Sequence, residues 1–284
     1  MIVITGANGR LGRLIVRGLA ARIGAEHTIA AVRTPAKAED LVALGVQVRQ
    51  ADYDRPKTLA EAFAGAEKVL LISGSEVGRR VGQHQAVIDA AKRAGVPHLL
   101  YTGILGGPEA DFPLAHEHKL TERAILESGL THTFLRHGWY SENYTENLAT
   151  VLTNKVIVGN AGEGRVASAT RQDFAEAAVA VLSTDGHDNT AYELSGDEAW
   201  SLPEYAAEIS RQSGTPIAYQ DVPAATHKEI LLGAGLSEPW ADTLVTVDDA
   251  IARGLLARRT GDLARLIGRR TTPIADSIAA GLRV

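Results

Sequence analysis

The sequence predicts an α/β fold in which a doubly wound parallel sheet is followed by a smaller, mostly helical cap domain. Two observations indicate the sheet. Short Val/Ile/Leu-rich runs alternate with stretches whose apolar residues recur at helical spacing, and a glycine-rich turn follows the first run. A third observation indicates the cap domain, because the alternation ends after Arg136. The chain of 284 residues is long enough to bury a large core.

Six apolar runs are predicted to be strands, and five amphipathic stretches between them are predicted to be helices. The strands lie at 2–5, 29–33, 46–51, 68–73, 98–102 and 131–136, and the helices at 11–21, 35–44, 57–63, 81–94 and 119–128. In the first helix, Leu11, Ile15 and Leu19 share one face. Strands joined by such helices form right-handed βαβ units, which build a parallel sheet covered on both faces.

The chain after Arg136 is predicted to be organised differently. Residues 137–150 are predicted to be helical, glycines recur through 155–170, and further helices are predicted at 174–182, 202–212, 224–233 and 239–253. Short strands are predicted at 191–194 and 217–222. We expect residues 1–136, with part of 155–196 returning to them, to form the nucleotide-binding domain. Residues 137–154 and 197–284 are expected to form the substrate-binding cap domain.

Composition excludes several classes of function. The chain carries 29 Lys+Arg and 34 Asp+Glu, a net charge of −5, so a polyphosphate surface such as a nucleic acid is not an expected partner. The absence of cysteine excludes disulfides, thiolate nucleophiles and Cys-ligated metals. His116 and His118 do not have the i, i+4 spacing of a helical zinc pair, so no metal is expected. Short apolar runs and an N-terminus unlike a secretory signal predict a cytoplasmic protein without a membrane span.

The glycine-rich turn predicts a dinucleotide-binding site. Gly6, Gly9 and Gly12 lie between the first predicted strand and the first predicted helix. Gly6 permits a tight turn, Gly9 lets the backbone approach a pyrophosphate, and Gly12 allows the helix to pack closely on the strand. The helix N-terminus adds N–H donors and the positive end of the helix dipole. A purely structural turn is the alternative, but strand, turn and helix occur here in the order that a Rossmann domain requires.

The residues after the second, third and fourth strands favour NADPH as the cofactor. Arg33 ends the second strand, where NAD enzymes usually have an acidic residue for the ribose 2′-hydroxyl, and its guanidinium suits a 2′-phosphate. Asp52 is placed to meet the adenine amino group, and residues 73–75 are placed along the cofactor. A solvated arginine and ordinary turn-capping residues are the alternative interpretations.

The predicted catalytic region differs from that of the Ser-Tyr-Lys reductases. Ala115 stands four residues before Lys119, where those enzymes have the tyrosine that protonates a carbonyl oxygen, so reduction of simple ketones is not expected. Lys119 could contact the nicotinamide ribose or be a solvated helix lysine. Trp139, Tyr140 and Tyr144 cluster in a chain with 5% aromatic residues and could sandwich a flat ring or pack in a core.

Several segments together resemble the NmrA-like atypical short-chain dehydrogenase/reductases, most closely the type 2 NAD(P)H:quinone oxidoreductases. They are residues 4–12, 31–33, 71–78, 136–144, 167–171 and 266–269. The resemblance covers nearly the whole chain. It implies a bilobal protein that binds NADPH and transfers a hydride to a small-molecule quinone. Monomer and homodimer both remain open.

The resemblance also implies roles for individual residues. Asn143 would stand beside the reacting ring. Their position after the sixth strand adds Tyr140 and Trp139 to the predicted catalytic set, and the position of the segment 159–173 predicts that Arg171 or Asp173 joins the two parts of the protein. The predicted cofactor contacts are Gly6, Ala7, Asn8, Gly9, Arg10, Leu11, Arg33, Asp52, Ser73, Gly74, Ser75, His137, Gly138, Glu142 and Arg171. Gly74 and Gly103 depart from the resembling enzymes, which tend to have serine there.

Three functions are compatible with these features. A quinone yields a hydroquinone anion whose charge is delocalised, so its reduction needs no strong general acid and fits the missing tyrosine. Residues 101–103 and 114–118 also look like those of triphenylmethane dye reductases, which makes other conjugated acceptors the first alternative. A non-enzymatic NADP(H)-sensing regulatory protein is the second alternative, since NmrA-like folds also serve that role.

Overall fold

The computed structural model describes residues 1–111 and 114–283. Within them, seven parallel strands form the central sheet in the order β11-β6-β5-β4-β1-β2-β3. These strands are β1 (Ile2–Ile4), β2 (Thr28–Val32), β3 (Gln47–Gln50), β4 (Lys68–Leu71), β5 (His98–Ile104), β6 (Thr131–His137) and β11 (Thr190–Leu194). The strand order reverses between β1 and β4, as it does in doubly wound nucleotide-binding folds. The predicted fold class is confirmed.

Helices cover both faces of this sheet. One face packs against α1 (Arg10–Ile23) and α8 (Arg171–Leu182), and the other against α3 (Pro56–Ala62), α4 (Arg80–Arg93) and α5 (Ala115–Ser128). Alternate residues of β1 serve the two cores, since Ile2 and Ile4 face the first and Val3 faces the second. The predicted helix at 35–44 is reduced to a 3₁₀ turn, Pro35–Lys37, and one turn of helix, α2 (Glu39–Val42).

A third core lies outside the sheet and joins elements from the second half of the chain. Its strands are β7 (Trp139–Tyr140), β8 (Val156–Gly159), β9 (Arg165–Val166), β12 (Trp200–Ser201) and β13 (Ala218–Asp221). Its helices are α6 (Glu142–Thr145), α7 (Leu148–Asn154), α9 (Leu202–Ser213), α11 (Glu238–Ala252) and α13 (Ile274–Gly281). Strand β10 (Ser168–Ala169) pairs with β7, and helix α10 (Ala224–Gly233) packs against α11. One further helix, α12 (Asp262–Ile267), returns to the sheet and buries Leu263 in the first core.

The prediction of a helix over 137–150 is wrong in its first half. Strand β6 continues to His137, and Trp139 and Tyr140 form β7, which pairs in parallel with β10. Helix α6 begins only at Glu142. Trp139 therefore lies in a strand and Asn143 in a short helix.

Two other observations concern membranes and metals. No helix in residues 1–111 and 114–283 has both the length and the hydrophobicity needed to cross a bilayer. Across the same residues, no three His, Asp or Glu side chains cluster closely enough to hold a metal ion. His118, which the sequence placed beside His116, is instead buried and bonded to Tyr101.

Candidate cofactor cleft and active site

The glycine-rich turn lies at the carboxyl end of β1, and its glycines have identifiable structural reasons. Gly6 has a φ of +60°, which L side chains rarely adopt. A Cβ on Gly12 would lie 2.5 Å from the Gly6 carbonyl oxygen and 2.8 Å from Ala7 Cα, so α1 can approach the turn this closely only with glycine there. Ala7 and Leu11 are buried in the core. Only their backbone groups can therefore address a ligand at this turn.

The N-terminus of α1 fits the pyrophosphate of a dinucleotide. Gly9 occupies the N-cap position, and no side chain in the described part of the protein caps the helix. By contrast, Thr170 and Ser201 cap α8 and α9 through reciprocal bonds with Asp173 and Glu204. A helix of 14 residues with free N–H groups at a glycine turn is a suitable anion site.

A pocket of about 430 Å³ adjoins this turn. The loops after β1, β2, β3 and β4 supply its walls. They bring together eight of the predicted cofactor residues, namely Gly6, Asn8, Gly9, Arg33, Asp52, Ser73, Gly74 and Ser75. Asn8 joins two of the walls, because its Nδ2 donates to the Thr34 carbonyl (3.1 Å). Asp52 Oδ1 accepts from the Asp54 N–H (3.1 Å), so one carboxylate oxygen already stabilises the loop after β3.

Both backbone polar groups of Gly74 are fixed by buried side chains of α4. The Gly74 N–H donates to His84 Nε2 (2.9 Å), and its carbonyl accepts from Arg80 Nε (2.7 Å). Because the N–H can only donate, the His84 proton resides on Nδ1, which donates to Thr121 Oγ1 (2.9 Å). Burial lowers the pKa of His84 to about 3, so the ring is neutral and suited to accept this bond.

A second buried histidine continues this network under the same loop. Arg80 Nη1 donates to His118 Nε2 (3.2 Å), and the opposite ring nitrogen lies 2.7 Å from the Tyr101 hydroxyl. Burial, with the nearby Arg80 charge, lowers the pKa of His118 to about 3, and burial raises the pKa of Tyr101. These buried groups hold the wall of the pocket in place, and they lie beneath it rather than inside it.

His137 and Gly138 lie where β6 ends beside the cap domain. The His137 ring stacks on Phe174, with centroids 4.5 Å apart, and Nδ1 lies 3.0 Å from the Tyr140 hydroxyl. Its Nε2 is buried without a hydrogen-bond partner among the described residues, and burial lowers the His137 pKa to about 3. Gly138 N–H donates to the Leu194 carbonyl (2.7 Å), and a Cβ there would lie 3.1 Å from that oxygen.

Acidic side chains of α6 meet the cationic side chains predicted to contact the cofactor. The Glu142 carboxylate accepts hydrogen bonds from the backbone N–H of Arg171 (2.9 and 3.1 Å). The Glu146 carboxylate forms ion pairs with the side chains of Arg171 (2.5 Å) and of Arg10 in the glycine-rich turn. Asn143 is exposed, and its Oδ1 accepts from Arg171 Nη2 (3.5 Å). Arg171 also lies over the Tyr140 ring, 5.2 Å from its centroid. Arg171, the first residue of α8, is therefore linked to residues 142–146, and its predicted role at the cofactor stays a prediction.

The three clustered aromatic residues do not form one sandwich. Tyr144 packs edge-on against Trp200 (4.7 Å between centroids), and Trp139 is half-buried against the same third core. Tyr140 turns the other way and packs edge-on against Phe174 (5.2 Å). Lys119 and His116 line a separate depression with Asp249 and Arg253. The structure does not bring those two residues to the glycine-rich turn.

Two residues that line the pocket, Tyr53 and Glu76, were not among the predicted site residues. Tyr53 lies 2.6 Å from Thr5 Oγ1 and donates to the Ile72 carbonyl (3.0 Å), which ties the loops after β1, β3 and β4 together. Glu76 pairs with Arg33 at 3.0 Å. The one available indication for Glu76 was its place in the run 71–78, which carried the family resemblance but no role for this residue.

Comparison with known proteins places this site in a family. The profile of a family described as NAD(P)H-binding matches residues 6–185, a range that begins at the glycine-rich turn and ends after α8. The chain belongs to this NAD(P)H-binding family. The chain is also 45% identical over 279 residues to quinone oxidoreductase 2 of Escherichia coli (strain K12), with 98% of each chain covered. The predicted relationship to NmrA-like atypical reductases is confirmed.

Two solved structures share the fold over almost the full length. The crystal structure of an NADPH-dependent quinone oxidoreductase from Escherichia coli, complexed with NADPH, matches with a TM-score of 0.96 at 45% identity and 99% coverage of each chain. That of a Citrobacter sp. triphenylmethane reductase complexed with NADP(H) matches with a TM-score of 0.95 at 38% identity, covering 99% of this chain and 100% of the other.

Proposed function

We propose that this protein uses NADPH for two-electron reduction of quinones to hydroquinones. The observation that carries the proposal is the 45% identity over 98% of the chain with the E. coli quinone oxidoreductase 2, together with a matching structure that contains NADPH. The cleft fits that cofactor, since an uncapped helix N-terminus and a glycine-rich turn adjoin a pocket that Arg33 lines. Bound NADPH would supply a hydride from its nicotinamide ring.

Different residues of the cleft would bind different parts of the cofactor. N–H groups at the start of α1 would hold the pyrophosphate, Arg33 would hold the 2′-phosphate, and Asp52 would meet the adenine. The loop around Gly74, held by His84 and Arg80, would lie along the cofactor. We infer that residues 1–136 and part of 155–196 bind the cofactor, and that 137–154 and 197–284 form the acceptor side.

Asn143 would orient the acceptor. Its Oδ1 faces Arg171, and its Nδ2 donates to no other protein atom in the described residues, so this amide can donate to an acceptor oxygen. Ala115 stands in place of the usual tyrosine, and the Tyr140 hydroxyl is engaged with His137. The reaction must therefore suit an acceptor whose product anion is stabilised by its own delocalisation.

Steady-state NADPH oxidation against a panel of quinones, cationic dyes and saturated ketones tests the proposal. We expect turnover with small quinones and negligible turnover with aliphatic ketones, whose alkoxide products need a positioned acid. Arg33→Ala should weaken NADPH binding by about 1.5–3 kcal/mol and leave NADH binding little changed. Brisk ketone reduction without any quinone turnover would refute the proposed acceptor.

The role of Asn143 has its own test. Asn143→Ala should lower single-turnover hydride transfer about tenfold, equivalent to about 1.4 kcal/mol, while NADPH affinity and melting temperature stay unchanged. The side chain is exposed, so its loss should not destabilise the fold. A variant that melts earlier but transfers hydride normally would show that Asn143 is structural.

The 38% identity to the Citrobacter triphenylmethane reductase supports a second candidate, the reduction of cationic triphenylmethane dyes. Both candidates use the same cofactor cleft and differ in the acceptor. The ratio of kcat/KM for a quinone to that for a dye distinguishes them. A third candidate, an NADP(H) sensor, predicts cofactor binding without turnover of any acceptor in the panel.

A further inference from the structure

The Arg33–Glu76 ion pair crosses the end of β1. Arg33 follows β2 and Glu76 follows β4, and these two strands flank β1 in the sheet. The side chains meet with Arg33 Nη1 at 3.0 Å from Glu76 Oε1, and both residues line the 430 Å³ pocket beside Gly6. The pair therefore passes over the place where a dinucleotide must enter.

Among the described residues, Glu76 is the only side chain to which the Arg33 guanidinium donates a hydrogen bond, whereas Glu76 has further partners. Glu76 Oε2 accepts from Arg79 Nη1 (2.8 Å) and from Gln83 Nε2 (3.3 Å). Arg79 is itself held by Asp54, through Nη2 at 3.0 Å. If Arg33 turns toward another anion, these contacts keep the Glu76 carboxylate at the pocket.

We propose that Glu76 determines how tightly this protein holds the 2′-phosphate of NADPH, by competing with that phosphate for Arg33. The inference rests on the proposed function, because it requires the cleft to bind NADPH. A 2′-phosphate carries a charge of about −1.5 to −2, and it must both replace Glu76 at the guanidinium and remain beside the displaced carboxylate. NADH lacks this phosphate, so Glu76 does not oppose its binding.

The competition weakens the binding of NADPH and of NADP⁺ alike, and weaker binding of NADP⁺ favours its exchange for NADPH after the reaction. Exposed ion pairs are worth little in isolation, and Arg33 and Glu76 are 68% and 35% exposed. The effect of Glu76 on binding is therefore modest and sensitive to salt, since exposed charges are screened over about 10 Å at 0.1 M ionic strength. A role in holding Arg33 ready for the phosphate would instead make removal of Glu76 weaken NADPH binding, so the two roles give opposite signs.

The experiment compares Glu76→Gln and Glu76→Ala with Glu127→Gln in the full chain. Glu127 pairs with Arg123 on the outer surface of α5 (2.7 Å), so Glu127→Gln removes one carboxylate from an exposed ion pair outside the cleft. Calorimetric titrations use NADPH, NADH, adenosine 2′,5′-bisphosphate and 5′-AMP. We expect both Glu76 variants to bind NADPH and the bisphosphate three- to tenfold more tightly, with NADH and 5′-AMP unchanged and a smaller gain at 0.5 M salt.

The outcomes separate the inference from the function on which it rests. Unchanged or weaker NADPH binding by both Glu76 variants, while the unmodified protein binds NADPH, overturns the competition and leaves the proposed function intact. Equal tightening for NADH and NADPH also overturns it, because the effect would not involve the 2′-phosphate. Failure of the unmodified, folded protein to bind NADPH refutes the proposed function and the inference together. Melting temperatures of all variants establish that the comparison is made between folded proteins.

Discussion

Acidification from pH 7 to pH 5 should strongly destabilise this protein, because His84, His118 and His137, three of the buried histidines in the described residues, must remain neutral in the folded state. His84, His118 and His137 are at most 8% exposed, and burial lowers the pKa of each to about 3. In the unfolded chain each has its ordinary pKa near 6.5. Below pH 6.5 the unfolded state therefore binds more protons than the folded state, and stability falls as the pH falls.

The magnitude follows from proton linkage. Each histidine lowers the free energy of unfolding by about 1.4 kcal/mol per pH unit below 6.5, or about 6 kcal/mol for the three at pH 5. Asp248 acts in the opposite direction, because burial raises its pKa to about 6 and the folded state takes up a proton there first. Protonation of Asp248 restores about 1.4 kcal/mol of the free energy of unfolding between pH 6 and pH 5. The net loss is about 5 kcal/mol, comparable with the whole stability of many domains.

Urea unfolding followed by circular dichroism at several pH values between 7.5 and 5 measures this loss. The slope should be at least about 2.7 kcal/mol per pH unit near pH 5, since burial also lowers the pKa of His98 and His227. His118→Gln should reduce the slope by about 1.4 kcal/mol per pH unit, whatever the variant's absolute stability. His27→Gln is the matched control, since His27 is exposed and should leave the slope unchanged. A free energy of unfolding that stays flat from pH 7 to pH 5 would refute the reasoning about burial.

Three further predictions concern the turn, the buried ion pair and a helix N-cap. Gly12→Ala should weaken NADPH binding at least tenfold in a titration, because its Cβ would meet backbone atoms at 2.5 and 2.8 Å. Gly82→Ala is the control, since its Cβ would meet no described atom within 4 Å, and in urea melts it should stabilise α4 by up to about 1 kcal/mol. Glu122→Gln should cost about 1.5–3 kcal/mol in urea melts, since Glu122 is 2% exposed and bonds Arg136 at 2.9 and 2.8 Å while Arg136 keeps its second partner Glu193 (2.8 Å), whereas Glu127→Gln on the same helix should change stability by less than about 1 kcal/mol. Thr170→Ala should lower stability by about 1 kcal/mol through loss of the α8 N-cap, and the conservative Thr170→Ser should retain most of it.

The sheet was predictable because its central strands contain short apolar runs, such as residues 2–4 and 69–71, and this signal lies within a few residues. The segment after Arg136 was not. Trp139 and Tyr140 form a strand only because Ser168 and Ala169 pair with them, and that partner lies almost thirty residues further along the chain. A two-residue strand has too few residues for its own periodicity to show. The local pattern of 137–150 is therefore that of a helix, and tertiary pairing decides otherwise.

The candidate site also contains parts that have a local sequence signal and parts that depend on contacts between distant residues. The glycine-rich turn was predictable, since strand, turn and helix are adjacent in sequence and each glycine position has a local reason. Glu76 meets Arg33 across 43 residues, and no spacing rule relates the two. The roles of His84 and Arg80 could not be predicted for another reason. Both are polar residues of α4, and polar residues in a helix usually face solvent. Their role as partners of Gly74 exists only once α4 packs beneath the loop after β4.

The electrostatics of the cleft follow from these long-range pairs. A cleft that binds a polyanion needs guanidinium groups, yet this chain has a net charge of −5 and places carboxylates beside those same groups. Glu76 pairs with Arg33 at the pocket, and Glu146 pairs with Arg10 at the glycine-rich turn. Each pair is formed by loops or helix ends that belong to different elements, so it also ties those elements together. A phosphate that binds either arginine must replace its carboxylate partner and so break one of these ion pairs. The affinity for the phosphate is therefore coupled to the local order of the cleft. If Arg33 binds the 2′-phosphate as proposed, specificity for NADPH depends on the difference between two anions that compete for Arg33 and cannot be deduced from the arginine alone.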